Sequence, residues 1–141
     1  MNDKSTAKAS FQFKGYRILE TSARFPEKDE PTSISIQFAP DGTWDKENKR
    51  FVLHLEVRVS NDENTLSIVF KINADFIYKG DDEENVRRFL GQNAPALVFP
   101  YIRAYVTNLT ALSGISPLVL PTLNLAQVGQ DLLKRLEGDK V

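Results

Sequence analysis

The sequence has no cysteine, and it has one histidine, one tryptophan and one methionine among 141 residues. Without cysteine the chain can form no disulfide bond, no zinc–thiolate site and no thiol nucleophile. The single histidine, His54, alternates with apolar residues of a predicted strand, and one histidine without neighbouring ligands makes a poor metal site. The sequence therefore predicts neither a bound metal nor thiol chemistry.

An excess of charge of either sign is also lacking. The 18 basic and 19 acidic residues give a net charge of -1, so the sequence predicts no basic surface for nucleic acid or for an anionic membrane. Arg103 interrupts the longest apolar run, which is too short to span a bilayer. The polar residues 1–10 lack the apolar core of a secretion signal. We therefore expect a cytoplasmic protein without a membrane or nucleic-acid partner.

Motifs of catalysis are missing as well. No serine or threonine has a base within sequence reach or lies in a nucleophile elbow, and no glycine-rich loop is present to hold phosphates. The acidic run Asp81–Glu84 lacks the alternating spacing and the glycine of a calcium loop. Carboxylates favour the N-terminus of a helix, so the run indicates a helix start. The sequence predicts no enzyme activity and no cofactor.

The first half of the chain alternates apolar and polar residues with a period of two, which predicts four strands of an antiparallel sheet. The apolar phase shifts at Gly15, as expected for a β-bulge. The run Pro40-Asp41-Gly42 is typical of a turn and predicts the end of the second strand, which places Trp44 in a loop. We expect a disordered tail over residues 1–10 and a single domain over residues 11–138.

Helical patterns follow Gly80. They predict a short helix from Asp81, a long helix that begins at Asn93 or Leu97 and ends at Leu112, and a last helix from Asn124. Strands followed by helices indicate an α+β fold in which the C-terminal helices cover one sheet face. The long helix is apolar over more than half of its circumference, and one sheet can cover only one side of it. We therefore expect a second copy of the chain to cover the other side.

The segment between the last two helices is apolar but is broken by Pro117 and Pro121. This composition predicts an extended connection that leaves apolar side chains at the surface, and such a surface marks a binding site. Burial in the core is the alternative. Trp44 lies among charged residues, so it is either a lid over the sheet or a contact for partners.

Two stretches resemble one known family. LVFPYIRAYVTNLTALSG begins at Leu97 and contains Phe-Pro-Tyr-x-Arg, and SPLVLPTLNL follows from Ser116. Both are similar to the corresponding segments of the secretion chaperone family SecB, and the resemblance extends from Phe11 to about Leu133. It implies a four-stranded antiparallel sheet with helices on one side and assembly into a homotetramer, a dimer of dimers. It also implies an ATP-independent holdase, which binds unfolded or nascent polypeptides in hydrophobic grooves.

The resemblance also implies which residues act. The client groove of the family uses the second strand, the proline-broken connection and the last helix. Adding Trp44 from its own sequence context, the candidate client-binding residues are Ile34, Ile36, Phe38, Trp44, Leu118, Leu120, Leu123, Leu125, Val128 and Leu132. The candidate oligomer-interface residues on the long helix are Tyr101, Arg103, Tyr105 and Leu109.

One departure from the family bears on partners. Members that deliver clients to the motor protein SecA carry an acidic residue on the fourth strand, where this chain has Lys71. We therefore expect either a role in protein export, with SecA as a partner, or a dedicated client such as an antitoxin. A small-molecule-binding α+β domain with an internal apolar pocket is the alternative function. The mass of the assembled protein would separate the two functions, since a monomer favours the second.

Overall fold

Strands make up the first half of the protein and helices the second half. The structure is a computed structural model that describes residues 10–29 and 33–138; the predicted tail over residues 1–10 lies outside them except for Ser10. The strands are β1 (Ser10–Arg24), β2 (Ile34–Asp45), β3 (Arg50–Asn61) and β4 (Ser67–Lys79), and the helices are α1 (Glu83–Gln92), α2 (Ala94–Leu112) and α3 (Ala126–Gly138). The predicted α+β fold is confirmed.

The four strands form one antiparallel sheet in the order β1-β4-β3-β2. The alternate residues of the two central strands are buried, from Phe51 to Val59 in β3 and from Ile68 to Tyr78 in β4. Helix residues including Val98, Ile102 and Leu132 complete this core, so the helices cover one face of the sheet. The other face is polar and partly exposed, and β1 and β2 are the two edges.

The predicted β-bulge is confirmed. The pairing of β1 with β4 shifts register between Phe13 and Gly15, and Gly15 has φ +138°, a conformation that other residues rarely adopt. A second shift lies between Ile18 and Glu20. The sequence did not indicate this second shift, because no glycine marks it.

The predicted turn at Pro40 is wrong. β2 continues to Asp45, and the turn lies over residues 46–49. Since β2 is an edge strand, Pro40 does not need an N–H group for a second neighbour, and an edge is where a sheet tolerates proline. Trp44 therefore lies in β2, paired with Phe51 of β3, and not in a loop.

The helix starts agree with the sequence to within a few residues. The side chain of Asp82 accepts a hydrogen bond of 3.0 Å from the backbone N–H of Glu84, so it caps α1. α2 begins at Ala94, and Pro100 lies inside it without ending it. The side chain of Asn124 accepts a bond of 2.9 Å from the backbone N–H of Ala126, the first residue of α3.

Helices α1 and α3 cross at two glycines, Gly91 and Gly129. A Cβ atom added to Gly129 would lie 1.7 Å from the carbonyl oxygen of Gly91. The two backbones thus meet directly, without side chains between them. This close crossing holds α3 beside β2, where Leu136 packs near Gly42.

Candidate functional site

The connection between α2 and α3, residues 115–125, is bound to α2 by two threonines. Thr107 Oγ1 donates a hydrogen bond of 2.8 Å to the carbonyl oxygen of Leu118. Thr110 Oγ1 accepts a bond of 2.9 Å from the N–H of Leu118 and donates to the carbonyl oxygen of Val106. Both backbone groups of Leu118 are therefore satisfied by α2, and the connection can stay extended along the helix without forming secondary structure.

The connection is also tied to the segment that precedes β2. One carboxylate oxygen of Asp29 accepts a bond of 2.8 Å from the Ser116 hydroxyl, and the other accepts a bond of 3.3 Å from its backbone N–H. These bonds lower the pKa of Asp29 below its usual value because they favour the charged carboxylate. The start of the connection is therefore held at Asp29, five residues before β2 begins.

Apolar side chains of the connection are divided between the core and the surface. Leu120 is 0% exposed, whereas its neighbour Val119 is 61% exposed. Leu118, Leu123 and Leu125 are partly buried and pack against the core with one side. Leu120 thus anchors the segment, and the other four side chains leave an apolar strip at the surface.

The outer edge of β2 is unpaired with any strand of the described chain. Gly42 donates its N–H to the side chain of Asp41 at 2.8 Å, and Pro40 has no N–H to donate. Because backbone groups alternate between the two sides of an antiparallel strand, the same alternation directs the N–H and C=O groups of Ile34, Ile36 and Phe38 to the outer edge. This half of β2 therefore offers free backbone groups.

The same three residues carry apolar side chains. Ile34, Ile36 and Phe38 are partly buried on the helix-covered face and pack against the core. Phe38 also meets Phe99 of α2 edge-on, with 6.4 Å between the ring centroids. We define the β2 groove as a candidate surface composed of this half of β2 and the strip on the connection. It contains Ile34, Ile36, Phe38, Leu118, Val119, Leu123 and Leu125.

Three of the candidate client-binding residues lie in the core instead. Leu120 and Leu132 are completely buried, and Val128 is 9% exposed. They cannot contact a partner in this conformation. The periodicity of α3 identified its apolar face correctly, but periodicity alone does not tell whether the protein's own sheet or a partner covers that face.

Trp44 is at the far end of β2. Its indole N–H donates to the hydroxyl of Tyr78 at 2.9 Å, and the ammonium group of Lys46 lies 4.7 Å from the ring centroid. Trp44 lies six positions after Phe38 along an extended strand, and the two residues are therefore roughly 20 Å apart. Trp44 therefore anchors the β2–β3 hairpin and is not part of the β2 groove.

An exposed aromatic pair lies on the flank of α2 that faces the other sheet edge, β1. Tyr101 is 40% exposed, and its ring lies 4.9 Å from that of Tyr16 and 5.6 Å from that of Phe13. Leu112, at the end of the same flank, is 88% exposed. Tyr101 and Leu112 thus belong to the part of the apolar circumference of α2 that the chain's own sheet does not cover. The bulge at Gly15 places Tyr16 opposite the buried Ala74, on the helix-covered face, and Tyr16 is exposed at the edge of that face because β1 is an edge strand.

Of the other three candidate interface residues, Tyr105 and Leu109 follow Tyr101 at intervals of one helical turn, whereas Arg103 does not. Tyr105 donates to or accepts from the hydroxyl of Thr21 at 2.6 Å, and Leu109 is partly buried against the core. Arg103 is one helical turn before Thr107, so it lies on the opposite flank, beside the connection. Tyr101 is the most exposed of the four candidates.

The open sheet face carries polar groups that bond to one another. Thr43 Oγ1 and His54 Nε2 are 2.8 Å apart, and His54 Nδ1 and Asn73 Oδ1 are 2.7 Å apart. On the same face Lys71 forms an ion pair of 3.6 Å with Glu20. In residues 10–29 and 33–138 no cluster of three or more metal-ligating side chains occurs. None of the described helices is long and apolar enough to cross a membrane.

The family model of the preprotein translocase subunit SecB matches residues 17–135. The chain belongs to the SecB family. This match covers all four strands in whole or part, the three helices nearly to the end of α3, and the whole connection, so it includes every residue of the β2 groove. The family is one of chaperones, and the predicted resemblance is confirmed.

Individual SecB proteins are distant in sequence. A protein-export protein SecB of Magnetococcus marinus is 25% identical over 113 residues, which are 72% of each chain. An uncharacterised protein of Methanocaldococcus jannaschii is 26% identical over 106 residues, 72% of this chain and 68% of that protein. The fold is better preserved than the sequence.

A solved structure shows this preservation. The SecB-like chaperone of Mycobacterium tuberculosis, in complex with a peptide from the HigA1 antitoxin, aligns with a TM-score of 0.68 and 25% identity. The alignment covers 85% of this chain and 94% of that one. This chain is thus a SecB-like chaperone with the four-stranded sheet and C-terminal helices of that protein.

Proposed function

We propose that the β2 groove binds unfolded or nascent polypeptides and holds them without hydrolysing ATP. The observation that carries this proposal is the combination of partly exposed apolar side chains with a free strand edge. Val119 and Leu125 supply apolar contacts, and Ile34, Ile36 and Phe38 supply both apolar contacts and backbone groups. An extended client can add to the edge as a further strand, which requires no particular client sequence.

The geometry also limits the length of chain that can pair. Beyond Phe38, Pro40 has no N–H group to point outward, and the outward N–H group of Gly42 is already bonded to the side chain of Asp41. Pairing is therefore confined to the half of β2 from Ile34 to Phe38, and the remaining client length must be held by apolar contact alone. The sequence contains no nucleotide-binding motif, so release follows from competition by a receiving partner.

Suppression of aggregation tests the proposal. A chemically denatured client diluted into buffer should scatter less light when this protein is present, and ATP should make no difference. Scattering that is unchanged at a molar excess of the protein would contradict a holdase. Grooves lined by the described residues open to solvent, so the alternative function, small-molecule binding in an internal pocket, has no observation in its favour.

The relatives support two candidate routes for the client. The Mycobacterium tuberculosis chaperone is seen with an antitoxin peptide, whereas other relatives are named for protein export. We infer that this chain serves one of these two routes, in the cytoplasm and without catalysis. Mass spectrometry of polypeptides that remain bound during purification would separate a single antitoxin from many exported proteins.

Self-association through α2 is the next part of the proposal. Tyr101, Tyr16 and Leu112 leave apolar surface beside the free edge of β1, and a homotetramer would bury it. We expect Tyr101→Glu combined with Leu112→Glu to reduce the mass measured by light scattering, because charged groups in such an interface must be desolvated. Val119→Glu, an exposed residue of the connection, is the matched control. An unchanged mass for the double variant would place the interface elsewhere.

Docking on SecA is expected to be weak. The family resemblance implies an acidic residue at the position of Lys71 in members that bind SecA, and Glu20 is the ion-pair partner of Lys71 on the open sheet face. A cation at a site that normally presents an anion lowers affinity and association rate. Titration of SecA should therefore show weak binding that Lys71→Glu strengthens, whereas Lys14→Glu should have a smaller effect. Tight binding at physiological salt that ignores Lys71→Glu would contradict this interpretation.

A further inference from the structure

A second groove, of about 710 Å³, lies between α1 and α3. Its apolar lining includes Ala96, Leu133 and two residues of the connection, Leu123 and Leu125. The last two also belong to the β2 groove, so the two surfaces are continuous across the connection. We call this second surface the α1–α3 groove. It differs from the β2 groove in having cationic groups in its lining.

Arg87 is the distinctive residue of the α1–α3 groove. Its side chain is 17% exposed, and its Nη2 donates to Glu137 near the end of α3. Its Nη1 is buried and has no hydrogen-bond partner in the part of the chain that the structure describes. A buried N–H group without a partner is unfavourable, and more so when it is charged. A ligand carboxylate that replaces Glu137 at Nη2 and also reaches Nη1 would therefore bind with an advantage.

The surrounding charges indicate what this acceptor is. Arg88 also lines the groove, and it donates a hydrogen bond of 2.7 Å to Asn85 Oδ1. Asn85 is neutral, so this bond does not neutralise the positive charge of Arg88. Glu84 is the one acidic residue of the lining. Glu137 is 60% exposed and can leave Arg87 for water at little cost. The site therefore favours an incoming carboxylate that takes the place of Glu137.

We propose that the α1–α3 groove is a second client subsite, which binds a polypeptide segment with a carboxylate beside apolar side chains. This inference rests on the proposed function, because the client must reach the groove from the β2 groove across Leu123 and Leu125. The client carboxylate binds the guanidinium group of Arg87, and the apolar neighbours of that carboxylate cover Leu125 and Leu133. Acidic clients thereby gain affinity that the β2 groove alone does not provide.

Fluorescence anisotropy with two labelled peptides tests this subsite. One peptide contains leucine and glutamate, and the other has glutamine in place of each glutamate. Wild-type protein should prefer the glutamate peptide, and Arg87→Met should reduce this preference by about tenfold, the effect of one charge-assisted hydrogen bond. Glu137→Gln should strengthen binding of the glutamate peptide and leave the glutamine peptide unchanged, since it removes the competing carboxylate.

Three controls separate the possible failures. Ile36→Asp damages the β2 groove, so persistence of the glutamate preference in that variant assigns the preference to the α1–α3 groove even if the β2 groove is wrongly placed. Equal preference in wild type and Arg87→Met, with unchanged circular dichroism, would overturn the subsite. Deletion of residues 139–141 should have no effect. Binding tightened by that deletion to the level of Glu137→Gln would show that the chain's own end occupies Arg87, and would also overturn it.

Discussion

Replacing Val119 and Leu125 together with aspartate is expected to abolish suppression of client aggregation while the protein stays folded. Val119 is largely exposed and Leu125 is partly exposed, so an aspartate at either position does not place a charge fully inside the core. Each apolar anchor that a client buries contributes about 1.5–3 kcal/mol. The loss of two anchors should weaken client binding by about a hundredfold or more.

Val119 and Leu125 are chosen for this variant because the residues on the inner face of α3 are buried in the core. Val128 would be the natural partner of Leu125 by helical spacing, but it is buried beside Leu132. An aspartate at Val128 would therefore unfold the protein and leave the location of the groove untested. Leu19→Asp is the matched control, because Leu19 is an exposed leucine on β1. This control should hold clients as well as the wild type does.

Three measurements decide the outcome. Light scattering reports client aggregation, circular dichroism reports folding, and mass reports assembly. A double variant that is folded, has the wild-type mass and still holds clients would show that the β2 groove lies elsewhere. Loss of holding in the Leu19→Asp control as well would mean that any added charge suffices, and the site would then not be located.

The fold was predictable because its strands and helices differ in period. β3 alternates strictly from Phe51 to Val59, and the phase shift at Gly15 marks the bulge in β1. The end of β2 was not predictable from local pattern. Pro40 and Gly42 are typical turn residues, and only the edge position of the strand makes them acceptable within it. Whether a strand lies at the edge depends on the order of all strands in the sheet, and the sequence of one short segment does not contain that information.

The candidate site was predictable in part for a related reason. The proline-broken connection has neither a helical nor a strand period, so its apolar residues could not be divided between core and surface. That division depends on two hydrogen bonds that fix Leu118: Thr107 donates to its carbonyl oxygen, and Thr110 accepts from its N–H. The threonines lie eight or more residues away and have no sequence signature of this role. Arg87 was missed because its environment is created by α3.

The crossing of α1 and α3 leads to the second large effect. Gly129→Ala should destabilise the protein by about 2 kcal/mol or more. Helix propensity alone predicts the opposite sign, since alanine stabilises a helix interior by about 1 kcal/mol relative to glycine. The added methyl group, however, would lie 1.7 Å from the carbonyl oxygen of Gly91 and 2.7 Å from its carbonyl carbon. Overpacking of this kind typically costs about 1–3 kcal/mol and sometimes more.

The cost is large because backbone meets backbone at this contact. No side chain can rotate away, so the methyl group is accommodated only if α3 moves away from α1. That movement also withdraws Leu132 and Leu136, which are buried in the core. The effect therefore spreads from one contact to the packing of the whole helix, and it should also widen the α1–α3 groove.

Gly91→Ala is the matched control at the same crossing. Its added methyl group would lie 2.7 Å from Cδ1 of Leu133, the end of a flexible side chain that can change rotamer. This variant should therefore lose less stability than Gly129→Ala, and the gain in helix propensity offsets part of its loss. Urea unfolding at one protomer concentration measures both variants, since self-association would otherwise shift the midpoints. Equal midpoints, or a higher midpoint for Gly129→Ala than for wild type, would show that the two helices do not meet at these glycines.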